Sequence, residues 1–462
     1  MTDRPYHFIE LTLSLCSVCR NRVDAKLVSQ DGRIYMLKHC LEHGPERVLV
    51  ATDAEYWLRS RRTLKPGQLP KRFNTKTERG CPWDCGICPD HEQHGCLTLL
   101  EITDRCNLSC PVCYADSAPG KGRHRTLQEV NAMLDTVVAN EGEPDVVQIS
   151  GGEPTIHPQF FEIMDAAQSR PIKHLMLNTN GLRIATEPGF AERLATYLPR
   201  FEVYLQWDSM RAEPLRELRG AELLETRHKA IETLNALNLS TTLVVTLKKG
   251  LNDGEIGEIL DFASRQRCVR GVTFQPIQDA GRVQNYDPAR DRLTLTEVRS
   301  EILRQSSIFT PQDVVPVPCH PDCIAMAYAL KTPVGVLPLS RFIDPGKLLE
   351  HTGNTVLNEA APEVRRRVVE LFSTSHSPQS SSLTLKSLLC CLPKLNLPVN
   401  LTYENVFRVI IMQFMDLRGF DVRSVKKTCV HIVHPDLRVI PFDTYNLFYR
   451  PGASLPTAGA AR

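Results

Sequence analysis

Three cysteines stand close together at a spacing that suits an iron–sulfur cluster. Cys106, Cys110 and Cys113 form the pattern Cys-x3-Cys-x2-Cys, directly after an apolar run that predicts a buried strand. Thiolates at short spacings of this kind hold iron–sulfur clusters. Three thiolates leave one iron of a four-iron cluster without a protein ligand, and an open position is what a catalytic metal site needs. The alternative is a zinc knuckle that takes Cys96 as its fourth ligand.

A second motif follows the next predicted strand. Its glycines, Gly151 and Gly152, allow the backbone to approach a ligand closely. Glu153 is a good acceptor for a charge-assisted hydrogen bond from an ammonium group, and Pro154 ends the motif. Tyr114, just after the last cysteine, places an aromatic ring where it could stack near an adenine. Taken alone, the Gly-Gly-Glu-Pro sequence could also be an ordinary turn.

The elements that would position these motifs alternate between strands and helices. Six apolar runs suit buried parallel strands: Leu97–Ile102, Asp145–Ile149, Lys173–Leu177, Phe201–Gln206, Thr241–Thr246 and Gly271–Gln275. Helical patterns lie between them: Thr126–Val138, Gln159–Ala167, Pro188–Tyr197, Leu215–Leu237 and Asp253–Arg265. This alternation predicts an α/β fold with a parallel sheet, either barrel-like or doubly wound.

Polar residues follow the strands, where α/β folds place their ligand sites. The candidates for binding a cofactor or substrate at this rim, each of which could instead be a loop cap or a solvated side chain, are Asn178, Asn180, Gln206, Asp208, Thr246, Lys248 and Gln275.

Together these motifs resemble the radical S-adenosylmethionine (SAM) superfamily over Leu97 to about Gln278. The resemblance implies a partial (β/α)6 TIM-like barrel. It also implies that the open iron binds the methionine part of SAM, and that one electron cleaves SAM to a 5′-deoxyadenosyl radical. SAM and a low-potential electron donor such as ferredoxin or flavodoxin are the partners it implies.

Other cysteine groups predict further metal sites. Four thiolates just before the first predicted strand favour a closed auxiliary 4Fe–4S cluster for electron transfer, with zinc as the alternative: Cys81, Cys85, Cys88 and Cys96. Two paired knuckles near the N-terminus suit a ribbon that binds one zinc or iron ion: Cys16, Cys19, Cys40 and His43. The segment Ala25–Leu37 between the knuckles predicts a hairpin that turns at Asp31-Gly32.

The C-terminal cysteines could hold a second auxiliary cluster. Its candidate ligands are Cys319, Cys323 and Cys429, and Cys390 and Cys391 lie between them in the chain. Cys268 is most simply a buried core thiol.

The whole arrangement resembles one subgroup, the archaeal tetraether lipid synthase and its bacterial relatives. Part of this subgroup consists of radical SAM methyltransferases that act on a pterin precursor. The resemblance implies carbon–carbon bond formation between lipid alkyl chains, started by hydrogen abstraction from an unactivated carbon. Methyl transfer to a pterin-like molecule is the alternative. An apolar helix predicted over Tyr403–Leu417 could line a lipid tunnel, and the alternative is that it is buried in the core. Relatives carry extra cysteines where this chain has Thr428 and Asp443, which leaves the ligands of a second auxiliary cluster open.

A non-catalytic iron–sulfur electron carrier or metal-binding regulator is the alternative from another class. The three-cysteine site beside a Gly-Gly-Glu-Pro motif argues against it.

Composition sets limits on partners and location. The net charge of +2 over 462 residues gives no general attraction to nucleic acid, so none is expected as a partner. Sixteen cysteines suit metal binding in a reducing compartment. The sequence lacks a signal-like start and a long apolar run, which predicts a cytoplasmic protein and leaves peripheral membrane contact open.

The sequence divides into five predicted segments: a metal-binding ribbon (1–75), an auxiliary cluster segment (76–96), the radical SAM core (97–285), a C-terminal α/β extension that carries cysteines (286–450) and a disordered tail (451–462).

Overall fold

The structure is a computed structural model that describes residues 4–62, 68–317, 320–333, 335–341, 403–451 and 453. Cys319, Cys390, Cys391 and almost all of the predicted tail fall outside these ranges, as does the Ser-rich segment 373–382. Within the described ranges, no helix has the length and apolar character needed to cross a membrane.

The N-terminal ribbon is a four-stranded antiparallel sheet followed by a helix. Its elements are β1 (His7–Leu15), β2 (Arg22–Gln30), β3 (Arg33–Cys40), β4 (Gly44–Ala51) and α1 (Ala54–Arg62). Asp31 and Gly32 both have positive φ between β2 and β3, so the hairpin predicted from the Asp-Gly pair is confirmed. The hairpin brings the two cysteine knuckles to the same end of the sheet.

A parallel sheet with helices between its strands follows. Its strands, with two short ones in the connecting loops, are β5 (Leu97–Glu101), β6 (Val112–Cys113), β7 (Val146–Ser150), β8 (His174–Thr179), β9 (Phe201–Gln206), β10 (Thr241–Leu247), β11 (Val269–Pro276) and β12 (Arg282–Val283). Its helices are α2 (Leu127–Glu141), α3 (Phe160–Gln168), α4 (Leu182–Thr186), α5 (Phe190–Ala195), α6 (Ala212–Arg219), α7 (Leu224–Ala236), α8 (Ile256–Arg265), α9 (Pro288–Asp291) and α10 (Leu295–Gln305).

Helix boundaries follow local signals. Thr126 caps α2 in a capping box with Glu129, and Gly142 ends the helix with positive φ. The single helix predicted over Leu215–Leu237 is divided into α6 and α7, because Gly220 adopts the left-handed conformation between them.

The C-terminal segment extends the sheet on both sides. Its elements are β13 (Val315–Pro316), β14 (Ile324–Thr332), β15 (Gly335–Pro338), β16 (Val406–Met412), α11 (Val422–Val425), β17 (Val430–Val433), β18 (Val439–Pro441) and α12 (Phe442–Thr444), followed by a π-helical turn over Tyr445–Tyr449. The strand order is β13-β14-β16-β11-β10-β9-β8-β7-β5-β17-β18, with β15 against β14. The six core strands are parallel, β16 adds in parallel beside β11, and β17 adds in parallel beside β5. The predicted α/β fold with a partial barrel core is confirmed.

Candidate active site

The loop that carries Cys106, Cys110 and Cys113, called the cysteine loop below, lies at the carboxyl end of the parallel strands. Cys106, Cys110 and Cys113 line one cavity of about 1320 Å³, a volume that includes its open mouth. Burial raises the pKa of the Cys106 thiol to about 12 and also raises that of Cys110. Metal binding at this loop must therefore displace protons from the thiols.

The turn at Gly151 and Gly152, the Gly-Gly turn, is hydrogen-bonded to the start of the cysteine loop. The Gly152 N–H donates to the Thr103 carbonyl at 2.8 Å, and the Glu153 N–H donates to the Arg105 carbonyl at 2.9 Å. A Cβ on Gly152 would lie 2.2 Å from the Arg105 carbonyl oxygen, and Gly151 has a φ of +134°. The close approach that needs these glycines is an approach to the cysteine loop's own backbone.

Glu153 joins the ends of two neighbouring strands. Its Oε1 accepts hydrogen bonds from the hydroxyls of Thr155 at 2.6 Å and Thr179 at 2.8 Å. Its Oε2 accepts from the Asn180 N–H at 2.8 Å. Burial raises the pKa of this carboxyl, while the Asn180 N–H opposes that shift. Each carboxylate oxygen accepts about two hydrogen bonds. Among the described residues Oε2 therefore keeps one position for a cationic group.

Arg219 is a cavity residue that the sequence did not single out. Its Nε and one NH2 hydrogen bind both oxygens of Asp208, at 2.8 and 2.6 Å, and the other contacts run to Thr246 at 2.7 Å and to the Val112 carbonyl at 3.4 Å. A guanidinium has five N–H donors. Four of them make these contacts, and the Arg219 guanidinium also forms a side-chain hydrogen bond with Cys110. It lies on the cavity wall near Cys110.

Asp208 is a structural partner of these cations. Burial alone would raise its pKa, but the guanidiniums of Arg219 and Arg227 hold the pKa of Asp208 below its ordinary value. Asp208 is fully buried and has positive φ, and its pairing with both arginines fixes where Arg219 points.

The segment that follows β11 packs against the cysteine loop. Strand β12 pairs with β6, with Arg282 opposite Cys113. The Arg282 side chain donates to the carbonyls of Cys110 at 2.7 Å and Ser117 at 2.6 Å, and to the Asp116 carboxylate at 2.8 Å. A single arginine in a loop belongs to no motif, so no sequence pattern indicates this contact.

Most of the rim residues singled out in the sequence line the same cavity. They are Tyr114, Gly151, Gly152, Glu153, Asn178, Asn180, Gln206, Thr246 and Gln275. Pro154 instead begins a short 3-10 turn, and Asp208 is covered by its arginines. The Lys248 ammonium lies 2.5 Å from the Glu217 carboxylate and 3.8 Å from that of Asp291, at the outer surface.

The ribbon holds four potential ligands of one metal ion. The ligand atoms of Cys16, Cys19, Cys40 and His43 all lie within 4.8 Å of one another. The Sγ atoms of Cys19 and Cys40 are 3.8 Å apart, which matches the roughly 3.8 Å between two thiolates on a tetrahedral zinc ion with bonds of about 2.3 Å. The hydrogen bond from His43 lowers the pKa of Cys40 to about 6, which favours the thiolate that a metal needs. These residues fit a single metal ion.

The cysteine loop is spaced more widely. Within the described ranges, the ribbon is the one place where three or more such ligand atoms come within 4.8 Å of one another. One zinc ion needs that closeness, whereas a cluster holds each thiolate on a different iron. The spacing in the cysteine loop therefore fits a cluster better than a zinc knuckle.

The cysteines of the Cys81–Cys96 group have different neighbours: Cys81, Cys85 and Cys88 lie near one another, and Cys96 contacts Gln93 and His94. Cys85 is buried, and its burial raises the pKa of its thiol, with a further increase from the neighbouring Cys81. Cys88 also lies close enough to Cys85 to affect it. Cys96 precedes β5, where its Sγ accepts from the Gln93 amide at 3.0 Å and lies 3.5 Å from the His94 Nε2.

The C-terminal cysteines within the described ranges share a smaller cavity of about 230 Å³. Cys323 and Cys429 line it together with His320, Thr428 and Asp443. Burial raises the pKa of Asp443 to about 6, and its oxygens accept from the Met415 N–H and the Thr428 hydroxyl.

The chain is similar to several known proteins. It is 29% identical to the 7,8-dihydro-6-hydroxymethylpterin dimethyltransferase of Methanocaldococcus jannaschii, over 95% of this chain and 94% of that protein. It is 30% identical to a mycofactocin maturase of Mycobacterium ulcerans, over 38% of this chain and 46% of the relative. Among solved structures, Streptococcus suis SuiB bound to S-adenosylmethionine aligns over 45% of this chain and 46% of its own, with 17% identity and a TM-score of 0.38.

Two family models match separate parts of the chain. The model of the HMPTM N-terminal zinc ribbon domain matches residues 8–52, which contain the four ribbon ligands. The Radical SAM superfamily model matches residues 100–263, which contain the cysteine loop, the Gly-Gly turn and Arg219. The chain is thus an enzyme that contains a radical SAM domain over residues 100–263.

Proposed function

We propose that this enzyme is a radical SAM methyltransferase that acts on a pterin-like heterocycle. The supporting observation is the 29% identity to a pterin dimethyltransferase along nearly the full length of both chains. That similarity spans the ribbon, the barrel and the C-terminal strands, whereas the mycofactocin maturase shares less than half of this chain.

The residues of the cavity suit SAM as a co-substrate. Bound at Cys106, Cys110 and Cys113, a four-iron cluster supplies the electron that splits SAM into methionine and a 5′-deoxyadenosyl radical. The free position on Glu153 Oε2 accepts a hydrogen bond from the SAM ammonium, and the positive charge of the Arg219 guanidinium, beside Cys110, attracts the SAM carboxylate. Because these two groups carry opposite charges and line the same cavity, they orient the amino acid end of SAM.

In this proposal the remaining cysteine groups have separate roles in electron transfer and in stabilising the fold. Cys81, Cys85, Cys88 and Cys96 hold an auxiliary cluster that passes electrons from an external donor such as a ferredoxin or flavodoxin. The ribbon metal is structural, because its ligands close a complete single-ion site. A second auxiliary cluster at Cys323 and Cys429 would need ligands beyond the thiols that the structure describes.

The lipid-coupling reaction, which is expected from the sequence ahead of methyl transfer, loses its structural support. The apolar helix predicted over Tyr403–Leu417 is wrong, because β16 occupies Val406–Met412 as a strand between β11 and β14. The apolar side chains of this segment mostly fill the core of the sheet rather than line a tunnel.

The test of the catalytic centre is Cys110→Ala, compared with Cys268→Ala as a buried thiol outside the cavity. Under anaerobic conditions with SAM and dithionite, Cys110→Ala is expected to make no 5′-deoxyadenosine and to lose about four irons per chain. Cys268→Ala is expected to retain both properties. If Cys110→Ala still cleaves SAM, the catalytic site is assigned incorrectly.

Cleavage of one SAM to a 5′-deoxyadenosyl radical leaves its methyl group on methionine, so in this proposal a second, intact SAM donates the methyl group and leaves as S-adenosylhomocysteine. The test of the substrate is incubation with excess SAM that carries a labelled methyl group and with a reduced 6-hydroxymethylpterin. Mass spectrometry is expected to show labelled methyl groups on the pterin. Coupled alkyl chains in a lipid fraction, with an unmodified pterin, would contradict the proposal.

A further inference from the structure

The two sides of the barrel cavity differ in chemistry. One wall, from β5, β16, β17 and the segments that follow them, is apolar: Leu97, Leu99, Met412, Phe414, Val430 and Phe442. The rings of Phe414 and Phe442 stack at 3.9 Å on this wall. A second part of the lining, from β7, β8, β9, β11 and the residues just after β11, carries a series of side-chain amides: Gln148, Asn178, Gln206, Gln275 and Gln278.

Several of these amides lack full hydrogen bonding. Gln206 has no hydrogen-bond partner among the described residues, and its Oε1 is buried. Gln278 leaves its buried Oε1 unpaired while its Nε2 donates weakly to the Pro276 carbonyl at 3.4 Å. Gln148 is 2% exposed, and its one polar contact in the described chain is the Met176 sulfur at 3.0 Å, a weak acceptor. Buried amides without partners are costly, so a ligand that pairs with them would be bound strongly.

The orientation of Gln275 is fixed from behind. Its Nε2 donates to the Tyr204 hydroxyl at 3.1 Å, and Tyr204 is also hydrogen-bonded to Thr273. This contact holds the Gln275 amide in place, so that its remaining donor and acceptor are available to a ligand in the cavity. A preorganised amide loses little freedom when a ligand binds.

Gln148 lies deeper in the barrel than the Gly-Gly turn. It comes two residues before Ser150 in β7, so its backbone is about 7 Å deeper along the strand at about 3.3 Å per residue. The Gly-Gly turn and Arg219 stand at the rim, where the proposed function places the methionine part of SAM. Gln148 is therefore available to a second ligand.

We infer that Gln148 and Gln275 recognise the hydrogen-bonding groups of a flat nitrogen heterocycle whose face packs against the apolar side chains of the same cavity. This inference rests on the proposed function and deepens it, because it assigns the residues that select the substrate. An amide side chain offers both a donor and an acceptor, as does the edge of a pterin or a guanine. A hydrocarbon chain in the same place would leave the amides unpaired.

The test uses Gln148→Met and Gln275→Met, which keep side-chain length and remove the amide. The matched control is Gln168→Met, on α3 and outside the cavity. The dissociation constants of SAM, 6-hydroxymethylpterin, guanine and 1-dodecanol are measured by equilibrium binding to the anaerobic holoenzyme. Each cavity variant is expected to raise the Kd of the pterin about tenfold and at least fivefold more than the Kd of SAM, with the control unchanged.

The outcomes separate this inference from the proposed function. If the cavity variants leave pterin binding unchanged, or weaken SAM and pterin equally, the inference is wrong. If the wild type binds guanine and not the pterin, and the variants lose guanine, the amide inference holds and the pterin substrate fails. Tighter binding of dodecanol than of either heterocycle by the wild type would overturn both.

Discussion

At the scale of the residue, Arg219 combines a structural and a ligand-facing role in one guanidinium. Two of its N–H groups fix it to Asp208, and the same guanidinium lines the cavity beside Cys110. Asp208 attracts attention in the sequence because it follows a strand, while Arg219 lies inside a helix with other charged residues. Sequence position therefore identified the buried partner of the pair, and only the tertiary structure shows which member reaches the cavity.

Replacing Arg219 by lysine is expected to weaken SAM binding. An ammonium cannot bind both Asp208 oxygens as a fork and still present a fixed donor to a carboxylate. The Kd for SAM should rise on the order of tenfold, equivalent to about 1.4 kcal/mol. Arg216→Lys is the matched control, since Arg216 lies on the same helix and pairs with Glu222 at the surface. Unchanged SAM affinity together with a lower melting temperature would show that Arg219 has a structural role only.

At the scale of the element, apolar runs were a reliable guide to the core strands. All six strands predicted from Leu97 to Gln275 are present, because strands buried on both faces need apolar residues at nearly every position. The same rule explains the error at Tyr403–Leu417. An apolar run of this length suits either a buried helix or a buried strand, and pairing with β11 and β14 decides the matter. That pairing joins residues distant in sequence, so no local pattern reveals it.

The turn after β7 gives the element-scale prediction. Gly152→Ala would place a methyl group 2.2 Å from the Arg105 carbonyl oxygen, which belongs to the backbone and cannot rotate away. The resulting shift of the cysteine loop should cost about 1–3 kcal/mol and reduce the iron bound at the catalytic site. Iron analysis after reconstitution and thermal unfolding measure both effects.

Gly254→Ala is the control for this substitution. Gly254 lies in a short 3-10 turn with nothing within 4 Å of an added Cβ, so its replacement should leave iron content unchanged. Full iron content in Gly152→Ala would mean that the turn does not hold the cysteine loop in place.

At the scale of the whole molecule, three separate parts of the chain meet around the barrel. The C-terminal strands border both sides of the core sheet. The ribbon packs against the segment between β16 and α11. Ser14 donates to the Phe420 carbonyl at 2.6 Å, and Thr12 donates to the Asp421 carboxylate at 2.7 Å. Sequence motifs identified the ribbon as a unit, yet its attachment depends on side chains that belong to no motif.

Lys38 is a third buried attachment between these parts. The residue is 4% exposed, and its ammonium donates to the carbonyls of Leu15 at 2.6 Å, Arg418 at 2.9 Å and Leu417 at 3.2 Å. Burial lowers the pKa of Lys38, while the nearby Glu46 carboxylate opposes that shift. One side chain thereby joins the ribbon to the segment that follows β16.

Lys38→Met should loosen the ribbon without removing its metal ligands. Three buried carbonyls would lose their donor, at a cost of about 3 kcal/mol in the free energy of unfolding. Amide hydrogen exchange in β1 and β3 should accelerate, while the ribbon still binds one metal ion, because its four ligands lie outside the substitution.

Lys26→Met is the control, since the Lys26 ammonium contacts the Tyr6 hydroxyl at 2.7 Å, and that hydrogen bond should contribute less than about 1 kcal/mol. Equal exchange rates in both variants would mean that other contacts hold the ribbon against the barrel. Faster exchange in Lys38→Met with normal SAM cleavage would show that the ribbon stabilises the enzyme and does not take part in the chemistry.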